Sequence, residues 1–308
     1  AGRGSFTEFK VAQNTVMGLK ALSNGKLAVG SQDPLLAVLS ADGKPLWQQA
    51  GEIADFRGQR GDNAIRLSRT GDTVQFGYEL GGKQPARISL KTWQLELNPA
   101  ADSRLTGPLT QAEGLNITDW QDRYEPKLNG RPLTLKKYET SRSLAIAPDK
   151  KRFLLGTDWR LRLFDSSGKQ LWEVPVPEAA WAVTISADGR LAVAGFSDGT
   201  LRWYRLEDGR ELLALFAHKD GQRWVAWTPN GFYQASAGAE DLIGWHLNHG
   251  SRKAPEFFGA SRFREQFYRP DVGARGLETL DGKKALELAD QERGRKTVTT
   301  DLKSILPP

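Results

Sequence analysis

The chain has 308 residues, of which 39% are hydrophobic and 26% charged, with a formal net charge of +6. This is an ordinary globular composition, and no apolar run reaches the roughly 18 residues that a membrane-spanning helix needs. With no cysteine at all, these residues cannot supply a disulfide framework, a thiolate metal site or a cysteine nucleophile.

The predicted elements begin with SFTEFKV, residues 5 to 11, read as a short alternating strand that completes the last unit of a closed array. A first repeat unit covers 16 to 50 and contains ALSNGKLAVGSQDPLLAVLSADGKPLW, ending at Trp47. A second covers about 62 to 98, opening with LSRTGDTVQFGYE, and Glu79 takes its acidic position. The third is the least regular: a turn-rich stretch, then NITDW and a hairpin about Asn129-Gly130. The fourth, fifth and sixth begin near Ser143, Ala182 and Arg223.

The four clearest copies agree in register. An acidic residue follows the first turn at Asp33, Asp158, Asp198 and Glu240. Three residues on stand Leu36, Leu161, Leu201 and Ile243, and two further on Val38, Leu163, Trp203 and Trp245. Positions i and i+2 of a strand share a face, so each pair is expected to line a buried sheet surface. Gly and Asn at the turns supply the positive φ of tight hairpins. Short strands with turn signals, repeating about every 40 residues, indicate a β-propeller of six or seven blades. Ten Trp is a high count, and Trp47, Trp172, Trp203 and Trp245 are expected to fill space between blades.

After Gly250 the pattern becomes helical over 259 to 293. Phe263 and Phe267 are four apart, and Leu277 with Leu280 and Leu286 with Ala289 each form a stripe. Asp271 and Asp281 are the expected N-caps. The end, DLKSILPP, reads as a linker. The predicted division is therefore a propeller over 1–254 and a helical extension with a Pro-ended linker over 255–308.

His218 lies ten and eleven residues before Thr228 and Pro229, and with this spacing the blades resemble the WD-repeat family. The resemblance implies structural, blade-locking roles for Asp33, Glu79, Asp158, Asp198, His218 and Glu240, with Glu240 as the acid for His218. The WD dipeptide itself is replaced by Leu39-Ser40, Phe164-Asp165, Tyr204-Arg205 and His246-Leu247. Over roughly 140 to 285, the strings FLLGTDWRLRLFD, DGTLRWYR, WVAWTPNGFYQAS, LIGWHLNHG and FYRPD resemble bacterial WD-repeat proteins that carry a caspase-like peptidase domain after the propeller. That implies either the non-catalytic part of a larger protein, with a C-terminal caspase-like domain as its attached partner, or a free-standing relative.

Other chemistry finds little support in the residues. The three histidines are His218, His246 and His249, and no G-x-S-x-G elbow accompanies them for a Ser-His-Asp site. No P-loop pattern is present. No metal or other cofactor is expected. Channel carboxylates could serve a propeller enzyme acting on a carbohydrate or small molecule. The basic run Arg252, Lys253, Arg262, Arg264 and Arg269 could serve a nucleic acid, although dispersed positive charge more commonly covers a solvated surface. A protein partner fits best, because propeller loops converge on one face. Arg57, Trp120, Trp159, Arg160, Trp181 and Arg223 are its candidate residues, since Trp and Arg are frequent interface hot spots.

Overall fold

The structure is a computed structural model that describes residues 7–12, 15–31, 35–250, 253–294 and 296–297. The chain forms two compact units, Ala1–Glu52 and Ile53–Pro308. The first is a four-stranded antiparallel meander of β1 (Val16–Ala21), β2 (Leu27–Ser31), β3 (Leu35–Leu39) and β4 (Pro45–Ala50). Asn24 and Gly25 make its first turn with φ of 60° and 71°, the left-handed backbone that these two residue types tolerate best. Strand alternation puts Val29, Ala37 and Leu39 on its buried face with Val11 and Leu27 against them. Leu36 is therefore on the other face and exposed, which corrects the expectation that Leu36 and Val38 mark the core. Trp47 is likewise half-exposed. Residues 7–11 form no strand, while Ser5 and Phe6, Asp33, Arg252 and the terminal DLKSILPP lie outside the described residues.

The second unit opens with the meander β5 (Arg66–Leu67), β6 (Thr73–Glu79), β7 (Lys83–Ser89) and β8 (Gln94–Leu97). A three-stranded sheet follows, of β9 (Ile117–Thr118), β10 (Lys127–Leu128) and β11 (Arg131–Pro132). The next meander is β12 (Ser141–Ile146), β13 (Arg152–Thr157), β14 (Arg160–Asp165) and β15 (Gln170–Pro175). The last large sheet has six strands in sequence order: β16 (Ala180–Ile185), β17 (Leu191–Phe196), β18 (Thr200–Arg205), β19 (Glu211–Ala217), β20 (Trp224–Trp227) and β21 (Tyr233–Ala235). The unit expected to begin near Arg223 is thus not a separate blade. Its first strand, β20, pairs with the outer strand β19.

Within the second unit, β5, the 105–109 segment, β12 and β16 lie side by side, as the inner strands of propeller blades do. The Ser143 hydroxyl donates to the Ala180 carbonyl at 2.7 Å, and the Thr184 hydroxyl to the Ile65 carbonyl at 2.8 Å. Isolated bridges join Leu67 to Thr106 and Leu109 to Ile146. These contacts run in a closed cycle through β5, the 105–109 segment, β12 and β16. Glycine in the second strand, at Gly156 of β13 and Gly195 of β17, permits close approach of neighbouring segments. A Cβ on Gly156 would stand 2.9 Å from both Cβ and O of Ala180, and one on Gly195 would stand 2.6 Å from Phe56 Cγ.

The second strands of the last two large sheets, β13 and β17, are dry on both faces. All six residues of β17 are buried, as are Leu161, Leu163, Leu201 and Trp203 at their expected positions. Trp203 Nε1 donates to the Gly71 carbonyl of the β5–β6 turn at 2.7 Å, and Trp172 Nε1 to the Leu206 carbonyl at 2.9 Å. Both rings bridge sheets as expected.

Beyond Gly250, β23 (Glu256–Gly259) pairs with β22 (Gly244–Leu247), so a sheet spans the division expected at 254/255. Short α1 (Arg264–Phe267), α2 (Pro270–Thr279) and α3 (Gly282–Arg293) follow. Asp281 caps α3, accepting from Lys283 N and Lys284 N at 2.8 and 3.1 Å. Asp271 does not cap α2. Pro270 already occupies the first helical position, and Asp271 pairs with Arg269 inside the first turn. Leu277 is buried in the core shared with β6, β7 and β19, while Arg190 and Arg205 donate to the carbonyls of Glu278 and Leu280. Cationic groups at a helix C-terminus oppose the negative end of its dipole, so the extension is docked on the sheets.

Gly156→Val and Gly195→Val are each expected to lower unfolding stability by about 2–3 kcal/mol through overpacking. Gly30→Ala, whose nearest Cβ neighbour is Leu36 Cδ2 at 3.6 Å, should cost far less. Urea denaturation of the three variants checks this order.

Candidate functional site

The site grows from the end of the second unit at which β12 and β16 begin. Ser141 at the start of β12 pairs with Thr157 at the end of β13. The β13–β14 hairpin, with Asp158 and Trp159, therefore sits at this rim. The same register holds for Ala180 and Phe196, which places Trp181, Ser197 and Asp198 there as well.

Arg142 is the hub of the rim. Its Nε donates to Asp158 at 2.7 Å, its Nη1 donates to Asp122 at 2.9 Å, and its guanidinium lies 4.7 Å from the Trp181 ring centroid. Asp158 also accepts from Thr140 N at 3.1 Å. Burial disfavours the charge on Arg142, but the two carboxylates outweigh it and hold its pKa above the ordinary arginine value. Trp181 is fixed in turn by Nε1 donating to Ser197 Oγ at 3.1 Å. Arg60 reaches the same group, with Nη2 3.6 Å from Asp122.

Beneath this rim lies a buried ion pair. Glu139 is 0% and Arg162 3% exposed. Arg162 donates Nε and Nη2 to the two Glu139 oxygens at 3.0 and 2.7 Å, and Nη1 to Gln170 at 2.6 Å and Glu173 at 2.5 Å. Glu139 also accepts from Thr157 Oγ1 at 2.5 Å and Lys136 N at 2.9 Å. Burial alone would raise the Glu139 pKa. The Arg162 and Thr157 hydrogen bonds and the Lys136 amide more than compensate, so it falls below its ordinary 4.5.

The residues nominated from sequence divide into groups. Trp159 is 48% exposed, and Arg160, beside it, has Nε 3.4 Å from Glu173. Trp181 joins them through Arg142 and Asp158. Arg57 is held by Asp55, with Nη2 to Oδ2 at 2.6 Å. Trp120 is partly buried against the Leu115, Ile117 and Leu128 cluster. Arg223 belongs to another cluster, with Asp220 at 2.5 Å and His218 at 3.2 Å.

Among the expected locking residues, Asp198 accepts from Thr200 N at 2.9 Å and Glu79 from Gln84 at 2.8 Å. The carboxylate beside His218 is Asp220, at 3.0 Å. Glu240 instead takes Tyr233 Oη at 3.2 Å and the Arg264 guanidinium. The expected His218–Glu240 pairing is corrected for a local reason: Glu240 follows β21, next to α1, while Asp220 shares the β19–β20 turn with His218.

Glu139, Arg142 and Arg162 were not among the residues nominated from sequence. The Leu-Arg-Leu of β14 and the Leu-Arg-Trp of β18 were the available signal: an arginine at the same register in two repeats. Among the described residues no group of three or more His, Asp or Glu is placed to hold a metal ion, and no helix is long and apolar enough to cross a membrane.

No protein-family model matches the chain, and no curated protein does. Among solved structures it is similar to the computationally designed Ika8 protein, at 17% identity over 70% of this chain and 72% of that one, with a TM-score of 0.31. It is also similar to the β-propeller domain of Cps50 (Swd1) from Myceliophteria thermophila, at 10% identity over 74% and 88%, with a TM-score of 0.30. Likenesses this weak add nothing to a functional reading, and the blade arrangement rests on the sheets themselves.

Glu139→Gln is expected to destabilise the protein by about 3 kcal/mol at pH 7, because it leaves Arg162 buried with a weakened partner. The native carboxyl has a depressed pKa, so its contribution is complete above about 4.5 and is lost as pH falls through the lower folded value. The gap between wild type and variant should therefore narrow on acidification below about pH 4.5, read from denaturant midpoints across pH 3 to 7.

Proposed function

We propose that this chain is a non-catalytic protein-interaction module, with the rim around Trp159, Arg160, Arg142 and Trp181 as its contact surface. The observation that carries this reading is Trp159. It is a half-exposed indole on a tight hairpin, and the strands below it are fixed by the buried Glu139–Arg162 pair. Rigid, exposed Trp and neighbouring Arg are the side chains that most often dominate protein interfaces, and preorganisation lowers the ordering cost of association.

The finer proposal is that the module is the sensor or regulatory portion of a larger bacterial caspase-like protease. It is supported by the family strings between residues 140 and 285 quoted above. A propeller enzyme is less favoured, because the rim carboxylates Asp122 and Asp158 are both engaged by Arg142 and neither is left to act as a general acid. A nucleic-acid role for the extension is less favoured because several of its cations are paired internally. Arg264 pairs with Glu240, Arg269 with Asp271 and Asp290, and Arg275 with Glu292.

A photo-crosslinking amino acid at position 159, expressed in the source cells, is expected to trap one defined protein. The same group at Ser167, in the turn at the opposite end of β14, should not trap it. Equal capture at both positions, or none at 159, overturns the interaction reading. In the same mass spectra, native protein far heavier than 34.1 kDa is the expected result for an attached peptidase, and a mass near that value removes it.

A further inference from the structure

We propose that the rim beside Trp159 reads an acidic segment of its protein partner, through Lys136, Lys137 and Arg160 flanked by Tyr138 and Trp159. This rests on the interaction reading above and names the chemistry of the partner.

Charge accounting comes first. Lys136 Nζ lies 3.6 Å and Arg160 Nε 3.4 Å from the same oxygen of Glu173. The other Glu173 oxygen is already bound at 2.5 Å by the buried Arg162. One carboxylate thus stands among three cations, and the two outer ones hold it only at long range. Lys137 has no carboxylate partner among the described residues and rests over the Tyr138 ring, 4.9 Å from its centroid. The neighbouring acids are committed elsewhere: Glu139 to Arg162, and Asp158 to Arg142 and Thr140 N. An incoming carboxylate can therefore pair with the exposed Lys136 and Lys137, beside the half-buried Arg160, and displaces no strong contact.

Conformation is the second observation. Tyr138 is 70% exposed and has φ of +65°. A bulky residue in the left-handed region is disfavoured, and such strain persists only where surrounding structure imposes it. Here the imposing group is Glu139, whose carboxylate takes the Lys136 amide and locks the turn from below. The consequence is an aromatic ring held out in water next to two lysines. Trp159 is on the adjoining hairpin, which is tied to this segment by Asp158 N donating to Thr140 O at 3.1 Å. Aromatic anchors amid uncompensated positive charge fit a peptide that alternates acidic and apolar residues.

The test is selection of a phage-displayed random dodecapeptide library on the intact chain, repeated on Lys136→Ser/Lys137→Ser and on Trp159→Ala. All three substitutions are at exposed positions, and thermal melts confirm folding. Wild type is expected to enrich peptides with a surplus of Asp and Glu around an apolar residue. Synthetic copies should bind at least fivefold more weakly to each variant and lose affinity with added salt. No enrichment, enrichment without acidic surplus, or equal binding by the variants overturns the proposal. Preferential capture of inorganic polyphosphate over the acidic peptides also overturns it, by making the patch a phosphate site. A crosslinked partner at position 159 alongside any of these results would leave the interaction reading standing and remove only the acidic specificity.

Discussion

The contact on which the rim depends is the buried ion pair of Glu139 and Arg162. Two charges taken out of water are stabilising only when nearly every donor and acceptor is matched, and removing one partner is strongly unfavourable. Here the matching draws on three strands of one sheet and the segment that leads into its first. Glu139 precedes β12, Thr157 ends β13, Arg162 is in β14, and Gln170 and Glu173 are in β15. The pair thus acts as a cross-tie at one end of the sheet, and the Lys136 turn and the Trp159 hairpin both hang from it.

The next sheet repeats the plan more loosely. Arg202 takes the register of Arg162 and meets Glu211 at 3.1 Å and Asp198 at 3.5 Å, but both carboxylates are partly exposed. The Arg162 network is thus the more buried of the two. Tyr138, which is both exposed and in the left-handed region, stands beside the more buried of the two networks.

Much of the fold was legible from turn chemistry. Strand pairs such as Leu161 with Leu163 and Leu201 with Trp203 went to the core because alternation and the Asp-Gly and Ser-Gly turns fixed their register. The buried arginines were not legible, since alternation assumes one wet face and assigns Arg162 to it. A blade between two neighbours has two dry faces, and only tertiary packing decides that the second is filled by an ion pair. The sixth repeat failed for a related reason. Its strands carry blade-like patterning, but β20 finds the free edge of β19 and pairs there. Of the proposed site, Trp159 and Arg160 were nominated by residue type and hairpin position, and Trp181 as a residue that opens a strand. Glu139 and Tyr138 were missed because their roles arise from a turn that no spacing marks.

The most direct measurement is a double-mutant cycle on Glu139→Gln and Arg162→Met, with unfolding free energies at pH 7. The account predicts a coupling energy above about 2 kcal/mol, with the double variant costing less than the sum of the two single ones. Additive effects would mean that the two groups act independently, and the rim would then have no common support.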